Sequence, residues 1–175
     1  RRIGADPAAR AVEIGGAGKA SCAGHDLKQM RANSRQENYK KLIADCARTM
    51  RRMQSMPQPV IARVHGVATA AGCQLVAMCD LAVASDQARF AVSGINVGLF
   101  CSSPSVALSR NVGRKQAFEM LVTGEFIDAH QALARGLVNR VVPAAQLDAE
   151  IAQLTDQILA KPAHAVGLGK ELFYR

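Results

Sequence analysis

Short apolar runs of strand length alternate with helix-length segments along this chain, and this alternation limits the fold more than any other feature. The runs lie at residues 11–14, 60–64, 81–84 and 89–92, and turn-forming residues follow each of them. Between the first two, residues 36–56 lack proline and glycine and repeat apolar side chains at helical spacing. Strands that alternate with helices in this way predict an α/β fold with parallel strands and right-handed crossovers.

The longest predicted helix, at residues 36–56, is expected to turn one apolar face toward the core. Pro57 and Pro59 follow it and end it, because proline lacks the N–H that another helical turn needs. The apolar face consists of Leu42, Ile43, Cys46, Met50 and Met53. Further helices are predicted at residues 69–79, 104–111, 114–122, 128–134 and 145–160, the last of them starting after Pro143.

The composition fits one globular domain and argues against several other classes of protein. The 175 residues are 49% hydrophobic and 21% charged, which is enough for a sizeable core. No apolar run reaches the roughly 18 residues of a membrane span, so no membrane partner is expected. The five cysteines contain no C-x-x-C pair, so reduced thiols are expected rather than a disulfide framework or a metal site. Because the first residues resemble the interior of a domain, we expect part of the N-terminal region to be missing.

The net charge of +8 favours a polyanionic partner. Nucleic acid is one candidate, the phosphates of a nucleotide cofactor are another, and a solvated basic surface is the third reading. Support for nucleic acid is confined to the basic side chains of the 36–56 helix, and no stacking aromatic residues accompany them. A nucleic-acid partner is therefore not expected.

Residues 19–30 form a first candidate site. They pass from small side chains through Gly24 into an amphipathic stretch. Glycine lets a backbone approach a ligand closely, and N–H groups exposed after such a turn can donate to an anion or a carbonyl oxygen. A plain strand–turn–helix junction would have the same composition, so both interpretations stay open.

Residues 65–80 form a second and more distinctive candidate site. A predicted strand is followed by consecutive small residues that open an apolar helix. The first N–H groups of a helix have no partner within it, and the helix dipole places partial positive charge there. Such a terminus suits an oxyanion. Tight packing of the helix on a sheet is the alternative explanation for the small residues.

These two segments, in this order, resemble the crotonase superfamily, also called the enoyl-CoA hydratase/isomerase family. Residues 23–27 read Ala-Gly-His-Asp-Leu, and residues 70–75 read Ala-Ala-Gly-Cys-Gln-Leu before Cys79 and Asp80. The segments at 121–129 and 136–143 continue the family pattern in register. The resemblance covers nearly the whole chain, and residues 23–28, 68–80 and 96–102 match one branch of the superfamily in particular.

The resemblance implies a crotonase-like repeated β-β-α superhelix with a C-terminal helical region, assembled as a homo-trimer or a dimer of trimers. It implies a core at residues 1–143 and the start of a trimerisation region at 144–175. The implied substrate is an acyl-CoA thioester, with coenzyme A as part of the substrate and neither a separate cofactor nor a metal. The implied location is cytoplasmic in a bacterium and the mitochondrial matrix in a eukaryote.

The resemblance also assigns site residues. The thioester oxygen would accept hydrogen bonds from the backbone N–H groups of His25 and Ala71, which form an oxyanion hole. The two glutamates with which the family's hydratases deliver water fall at Gln74 and Gly94, and neither position carries a carboxylate. The coenzyme A contacts are expected at Ala23, Gly24, Asp26, Leu27 and Lys28, with Lys28 near the phosphates.

Some side chains in these segments have less specific readings. Asp26 is expected to cap the following helix, and Asp80 to make a structural hydrogen bond at a helix end. His65, His130 and His164 are expected to be structural or exposed, and the His25 imidazole is either an acid–base group or a packed side chain. Cys73 and Cys101 are expected to be buried or pocket-lining thiols, with a nucleophilic role the minor alternative.

Three functions follow from the sequence. The first is lyase- or isomerase-type chemistry on a fatty acyl-CoA through an enolate-like thioester, with little classical hydratase activity. An amide such as that of Gln74 takes up no proton near neutral pH, and a positioned general acid or base contributes about 10²–10⁴ in rate. The second function is non-catalytic acyl-CoA binding or regulation. The third is RNA binding by a crotonase relative.

Overall fold

The computed structural model describes residues 3–175 and confirms the repeated β-β-α arrangement. Within that range the eight strands are β1 (Val12–Gly15), β2 (Ala20–Cys22), β3 (Val60–Val64), β4 (Val67–Thr69), β5 (Leu81–Ser85), β6 (Arg89–Ala91), β7 (Ile127–Asp128) and β8 (Arg140–Val142). The helices are α1 (Leu27–Ala32), α2 (Gln36–Ser55), α3 (Ala71–Met78), α4 (Ser102–Asn111), α5 (Arg114–Thr123), α6 (Ala129–Ala134), α7 (Leu147–Leu159) and α8 (Ala163–Phe173). A 3₁₀ turn at Ser93–Val97 precedes α4.

The strands divide between two four-stranded sheets that the chain visits in turn. One sheet has the order β1-β3-β5-β8 and is parallel throughout. The other has the order β2-β4-β6-β7, and only its last pair is antiparallel. Each turn of the superhelix thus adds one strand to each sheet before a helix returns the chain. The predicted parallel arrangement is confirmed, with β7 as the exception.

The core lies where both sheets face the helices. Strand β3 is buried at four of its five residues because it has a neighbouring strand on each side and helices over its faces. A second, smaller cluster joins this sheet to α7. There Ile61 and Val83 of the sheet pack against Leu147, Ile151 and Leu154 of the helix, which recur at helical spacing.

Helix α2 confirms the predicted helix at 36–56 and ends one residue earlier than expected. Met50 and Met53 are buried as predicted. Ile43, by contrast, is 53% exposed, so its assignment to the core face was wrong. Both fully buried side chains of α2 thus lie in its C-terminal part.

Helix α8 is held by a buried lysine. The ammonium of Lys170 donates to the carbonyls of Met53 and Gln58 at 2.7 and 2.8 Å and to Asp80 Oδ2 at 2.6 Å. The same Asp80 oxygen accepts the Val60 N–H at 2.6 Å, which confirms the structural hydrogen bond expected for Asp80. We call these residues, together with the lysine, the Lys170 clamp. It connects α8 to the end of α2, the start of β3 and the end of α3.

Candidate active site

Gly24 and the start of α3 lie in contact, so the two candidate segments meet. A Cβ added at Gly24 would lie 3.2 Å from the Ala70 Cβ and 3.3 Å from the Ala71 nitrogen. The parallel pairing of β2 with β4 brings them together, because each segment leaves the end of its own strand. Gly24 has a φ of +89°, a conformation that glycine adopts without strain.

Two peptide N–H groups at this junction are available to a ligand. Within residues 3–175, neither the His25 nor the Ala71 N–H donates to a protein acceptor. Ala70, between them in space, is fully engaged: its N–H donates to Ala91 at 3.0 Å, and its carbonyl accepts from Gln74 at 3.1 Å. The free donors therefore stand next to a backbone that is itself held rigidly.

Ala70 has a strained backbone, with φ of 51° and ψ of −120°. In the part of the chain that the structure describes, it is the only residue other than glycine with a positive φ. Such conformations cost about 1–3 kcal/mol and are found mainly where function requires them. Here the strain sets the direction in which the Ala71 N–H points at the beginning of α3.

Gly72 explains part of the small-residue pattern by packing. A Cβ at Gly72 would lie 2.0 Å from the Cys22 carbonyl oxygen, so α3 rests directly on β2. Ala71, one residue earlier, is only half-buried. Packing therefore explains the small residue at Gly72. The reading of Ala71 as a donor open to a ligand stays a prediction.

Asp26 caps α1, as predicted. Its Oδ1 accepts from the N–H groups of Lys28 at 2.8 Å and Gln29 at 3.1 Å. The cap fixes the turn that carries the His25 N–H, since it satisfies the first donors of the helix. The side chains of Leu27 and Lys28 are exposed beside it, as is Ala23 on the other side of Gly24.

Gln74 lies on α3 one turn beyond Ala71 and is only 7% exposed. Within residues 3–175 its amide makes no hydrogen bond to another protein group. The side-chain atoms that are both sealed from solvent and unpaired belong to Gln58 and Asp80. The unpaired Gln74 amide is therefore not completely sealed from solvent.

Gly94, the other position at which the family places a glutamate, has no room for a side chain. A Cβ there would lie 2.5 Å from the Leu99 carbonyl oxygen and 2.7 Å from Cys101 Sγ. Leu99 N–H in turn donates to the Gly94 carbonyl at 2.9 Å, which closes the loop on itself. A hydrogen bond of 2.8 Å between Thr69 and Ser93 ties this loop to β4. The hydrogen bond between Thr69 and Ser93 was not predicted, because no local sequence pattern indicates it.

The thiols are packing groups. Burial, with a smaller contribution from the nearby Cys101 thiol, raises the pKa of Cys73 to about 12. Since the thiolate is the nucleophilic form, Cys73 is unreactive near neutral pH. Cys101 is 8% exposed and immediately precedes α4. All five cysteines are free, as predicted.

The histidines have the environments expected of them. His65 Nε2 lies 2.9 Å from the Gly18 carbonyl, and its Nδ1 lies 3.3 Å from Ser21 Oγ, so its role is structural. His130 and His164 are exposed. His25 is half-buried, and its imidazole makes no hydrogen bond within residues 3–175.

Other features of the described chain lie away from this junction. Cavities of about 750 and 430 Å³ open beside α7 and α8, and neither includes His25 or Ala71. Residues 3–175 contain no group of side chains that could hold a metal ion. No helix in that range is both long enough and apolar enough to cross a bilayer.

Comparison with known proteins identifies the family. The family model described as enoyl-CoA hydratase/isomerase matches residues 1–175. The chain belongs to the enoyl-CoA hydratase/isomerase family. A crystal structure of an enoyl-CoA hydratase from Mycobacterium smegmatis is 65% identical and superposes with a TM-score of 0.97 over 99% of this chain and 67% of that one.

The branch that the sequence motifs matched is that of enoyl-CoA hydratase domain-containing protein 3. The mitochondrial protein of that name from Xenopus laevis is 50% identical over 97% of this chain, and this chain spans 58% of its length. The human crystal structure is 44% identical with a TM-score of 0.95, over 99% of this chain and 68% of that one. Membership of the family and resemblance to this branch are thereby confirmed.

Proposed function

We propose that this chain binds an acyl-CoA thioester and polarises its carbonyl with the backbone N–H groups of His25 and Ala71. The observation that carries the proposal is the contact of Gly24 with Ala70 and Ala71, which places two unpaired donors at one junction. Donors of this kind stabilise an enolate-like thioester, because negative charge develops on the carbonyl oxygen. The reaction that fits is a lyase- or isomerase-type step on a fatty acyl-CoA.

Coenzyme A itself would lie along the turn before α1. Ala23, Asp26, Leu27 and Lys28 are exposed there, Gly24 is half-buried between them, and the net charge of +8 favours the phosphates. Lys28 stands at the start of α1 with its side chain in solvent, where a phosphate can reach it. No separate cofactor is required by this chemistry.

Classical hydration would be weak or absent. Gln74 provides an amide in place of a carboxylate, and the space at Gly94 is filled by Leu99 and Cys101. A Glu at 94 would displace the Leu99 carbonyl, so the informative substitution is Gln74→Glu alone. It restores one carboxylate and should raise the hydration rate of a short 2-enoyl-CoA measurably above wild type. Robust hydration by the wild type would contradict the proposal.

Carbonyl polarisation can be measured without turnover. Infrared difference spectra of butyryl-CoA labelled with ¹³C at the carbonyl should show the C=O stretch at lower frequency when the thioester is bound. Two hydrogen bonds to the oxygen weaken that bond, and free coenzyme A supplies the blank. Tight binding with an unshifted carbonyl would contradict the two-donor site. A shifted carbonyl with no turnover of any acyl group would favour a non-catalytic acyl-CoA-binding protein.

The assembly and its location are further parts of the proposal. Residues 1–143 would form the core, and residues 144–175 would begin a trimerisation region within a homo-trimer or a dimer of trimers. Leu168, Leu172 and Phe173 of α8 are exposed, at 49%, 60% and 81%, which suits a face that a second subunit covers. The relatives named mitochondrial favour the matrix for a eukaryotic source, and a bacterial source would place the protein in the cytoplasm.

A further inference from the structure

The positive charge of this chain is concentrated in one short segment. Residues 28–52 hold eight of the basic residues and two of the acidic ones, a net of +6, so the other 150 residues contribute only +2 to the total of +8. All eight basic side chains are exposed. A surface with so uneven a charge attracts polyanions from a distance, because the potentials of neighbouring like charges add.

Five of these basic side chains share one face of helix α2. They are Lys40, Lys41, Arg48, Arg51 and Arg52, and we call them the α2 basic face. Each residue of an α-helix turns by about 100° and rises by about 1.5 Å, so the five lie within an arc of roughly 120° over about 18 Å. Met50 and Met53 are buried on the opposite side of the helix. Glu37 lies about one turn before the face, and within residues 3–175 only Arg48 of the five pairs with a carboxylate, that of Asp45.

The α2 basic face lacks the features with which proteins bind nucleic acids. The aromatic residue of α2, Tyr39, is half-buried, and its hydroxyl donates to the Met30 carbonyl at 3.2 Å, so the face offers no ring on which a base could stack. A helix that enters the major groove of a duplex must project from its protein. Helix α2 instead packs on the core through Met50 and Met53, and it presents only a straight row of charges.

An exposed isoleucine flanks the same face. Ile43 is 53% exposed and lies one turn from Lys40. An isoleucine adds nothing to the binding of phosphates, whereas it can enter the headgroup region of a lipid bilayer beside a row of basic residues. A bilayer surface is also flat over the length of this helix, so that all five charges can approach it together.

We infer that the α2 basic face docks this protein on the surface of an anionic lipid bilayer. The five basic side chains lie over the lipid phosphates in this contact, and Ile43 enters the headgroup region at its edge. A contact on the bilayer surface needs no spanning helix, so it is compatible with apolar runs too short to span, although it departs from the expectation of no membrane partner drawn from those runs. It does not depend on the proposed thioester site, because none of its residues lies at that junction.

Co-sedimentation with vesicles tests the inference. The wild type should partition at least about 100-fold more strongly onto phosphatidylcholine vesicles that contain about 40% phosphatidylglycerol than onto pure phosphatidylcholine. Binding should fall steeply as salt rises from about 0.1 M to about 1 M, because the screening length shortens from about 10 Å to about 3 Å. The variant Lys40→Gln, Lys41→Gln, Arg51→Gln keeps the helix preference of α2. It should lose roughly 100-fold in partition, since each basic residue near an anionic surface contributes about fivefold.

The matched control is Arg110→Gln, Arg114→Gln, Lys115→Gln, which removes the same net charge from exposed positions around the connection between α4 and α5. It should keep the wild-type partition within about twofold, because those charges lie outside the contact. An equal loss in both triple variants would show that net charge alone attracts the protein, and it would overturn the inference. Unchanged melting temperatures establish that both variants fold.

Ile43→Gln separates a bilayer from a nucleic acid. It should lower the partition onto the anionic vesicles roughly threefold, because a polar side chain gains nothing from the headgroup region. Its affinity for a double-stranded RNA of random sequence should equal that of the wild type. Tighter binding of the wild type to this RNA than to the anionic vesicles, at equal phosphate concentration, would overturn the inference in favour of a nucleic acid. Equal sedimentation with the neutral and the anionic vesicles would overturn it outright.

Discussion

The two ends of helix α3 are built in opposite ways. At its start, the Ala71 N–H has no protein acceptor within residues 3–175, and the preceding residue, Ala70, is strained. At its end, Asp80 accepts from the Val60 N–H and from the Lys170 ammonium, which also donates to two carbonyls. One end leaves an N–H donor unpaired, and the other holds Asp80 Oδ2 in hydrogen bonds within the chain.

This contrast explains how a short helix can hold free donors in a fixed direction. A helix of eight residues has little stability of its own, so its position must come from packing. The Lys170 clamp fixes its far end against α2, β3 and α8, and Gly72 seats its near end on β2. The unpaired groups and the strained residue are then supported by contacts elsewhere, as is common at functional sites.

Removing the clamp should have the largest effect. Lys170→Met takes away one partner of a pair whose side chains are 6% and 13% exposed, leaving the Asp80 charge without its cation. Breaking a buried pair in this way costs about 3–5 kcal/mol of unfolding free energy. Urea denaturation followed by circular dichroism measures it.

The matched control for the clamp is the double variant Asp80→Asn, Lys170→Met, which removes both charges. It should be more stable than Lys170→Met alone, because no uncompensated charge remains buried. Burial raises the pKa of the Tyr174 hydroxyl, and the neighbouring Asp80 carboxylate raises it further. A Lys170→Met protein as stable as wild type would show that the far end of α3 needs no clamp.

Blocking the free donor should have the next largest effect, and it should appear in ligand affinity. In Gly24→Ala the new methyl would lie 3.3 Å from the Ala71 nitrogen, so a carbonyl oxygen could no longer approach that N–H. Losing one such donor costs about 10²–10³ in catalytic rate, and the affinity for the ground-state thioester should fall by a smaller factor. Isothermal titration with butyryl-CoA measures the loss.

Gly18→Ala is the control for backbone strain. Gly18 has nearly the same φ, +83° against +89°, but no atom within 4 Å of the added methyl. It should lose a similar amount of stability while keeping its affinity for the thioester. Equal affinity in both variants would mean that the Ala71 N–H does not contact the ligand.

The smallest effect is expected from relaxing the strained residue. Ala70→Gly allows the positive φ without a Cβ, which recovers roughly 1 kcal/mol after the greater flexibility of unfolded glycine is subtracted. The melting temperature should rise slightly. Ala160→Gly, at an exposed helix end with φ of −67°, should lower it instead. A fall in melting temperature for Ala70→Gly would show that this backbone is not under strain.

Elements with a clear apolar pattern could be predicted from the sequence, whereas helix α8 and the short strands β4, β7 and β8 were not predicted. Helix α2 has apolar residues at helical spacing, and strand β3 has a nearly continuous apolar run. Both patterns are long enough to predict the element. Strands β4, β7 and β8 have only two or three residues, which is too short for any period to show. These strands form because a neighbouring strand, distant in sequence, offers backbone hydrogen-bonding partners. The local sequence contains no pattern that indicates this neighbour.

Some features of the site could likewise be predicted from the sequence, and others could not. The cap at Asp26 follows from residue type, because an aspartate before a helix accepts its first N–H groups. The meeting of Gly24 with Ala71 came from resemblance, since free peptide donors have no signature in residue type. The role of Lys170 was missed, because its partner Asp80 lies 90 positions away and a lysine normally indicates surface. The lack of room for a side chain at Gly94 was likewise not predictable, because it depends on how the following loop brings Leu99 and Cys101 back to this position.

The peptide donors at His25 and Ala71 have a consequence for how this molecule can change over generations. A side-chain catalyst disappears with one altered codon, whereas a main-chain N–H is removed only by proline. Most substitutions at 25 or 71 would leave the donors in place, and the sensitive positions are instead the glycines beside them, Gly24 and Gly72. Under the proposed function, a lineage can therefore exchange the acid–base groups around this junction, and with them the reaction, while it continues to hold the same carbonyl.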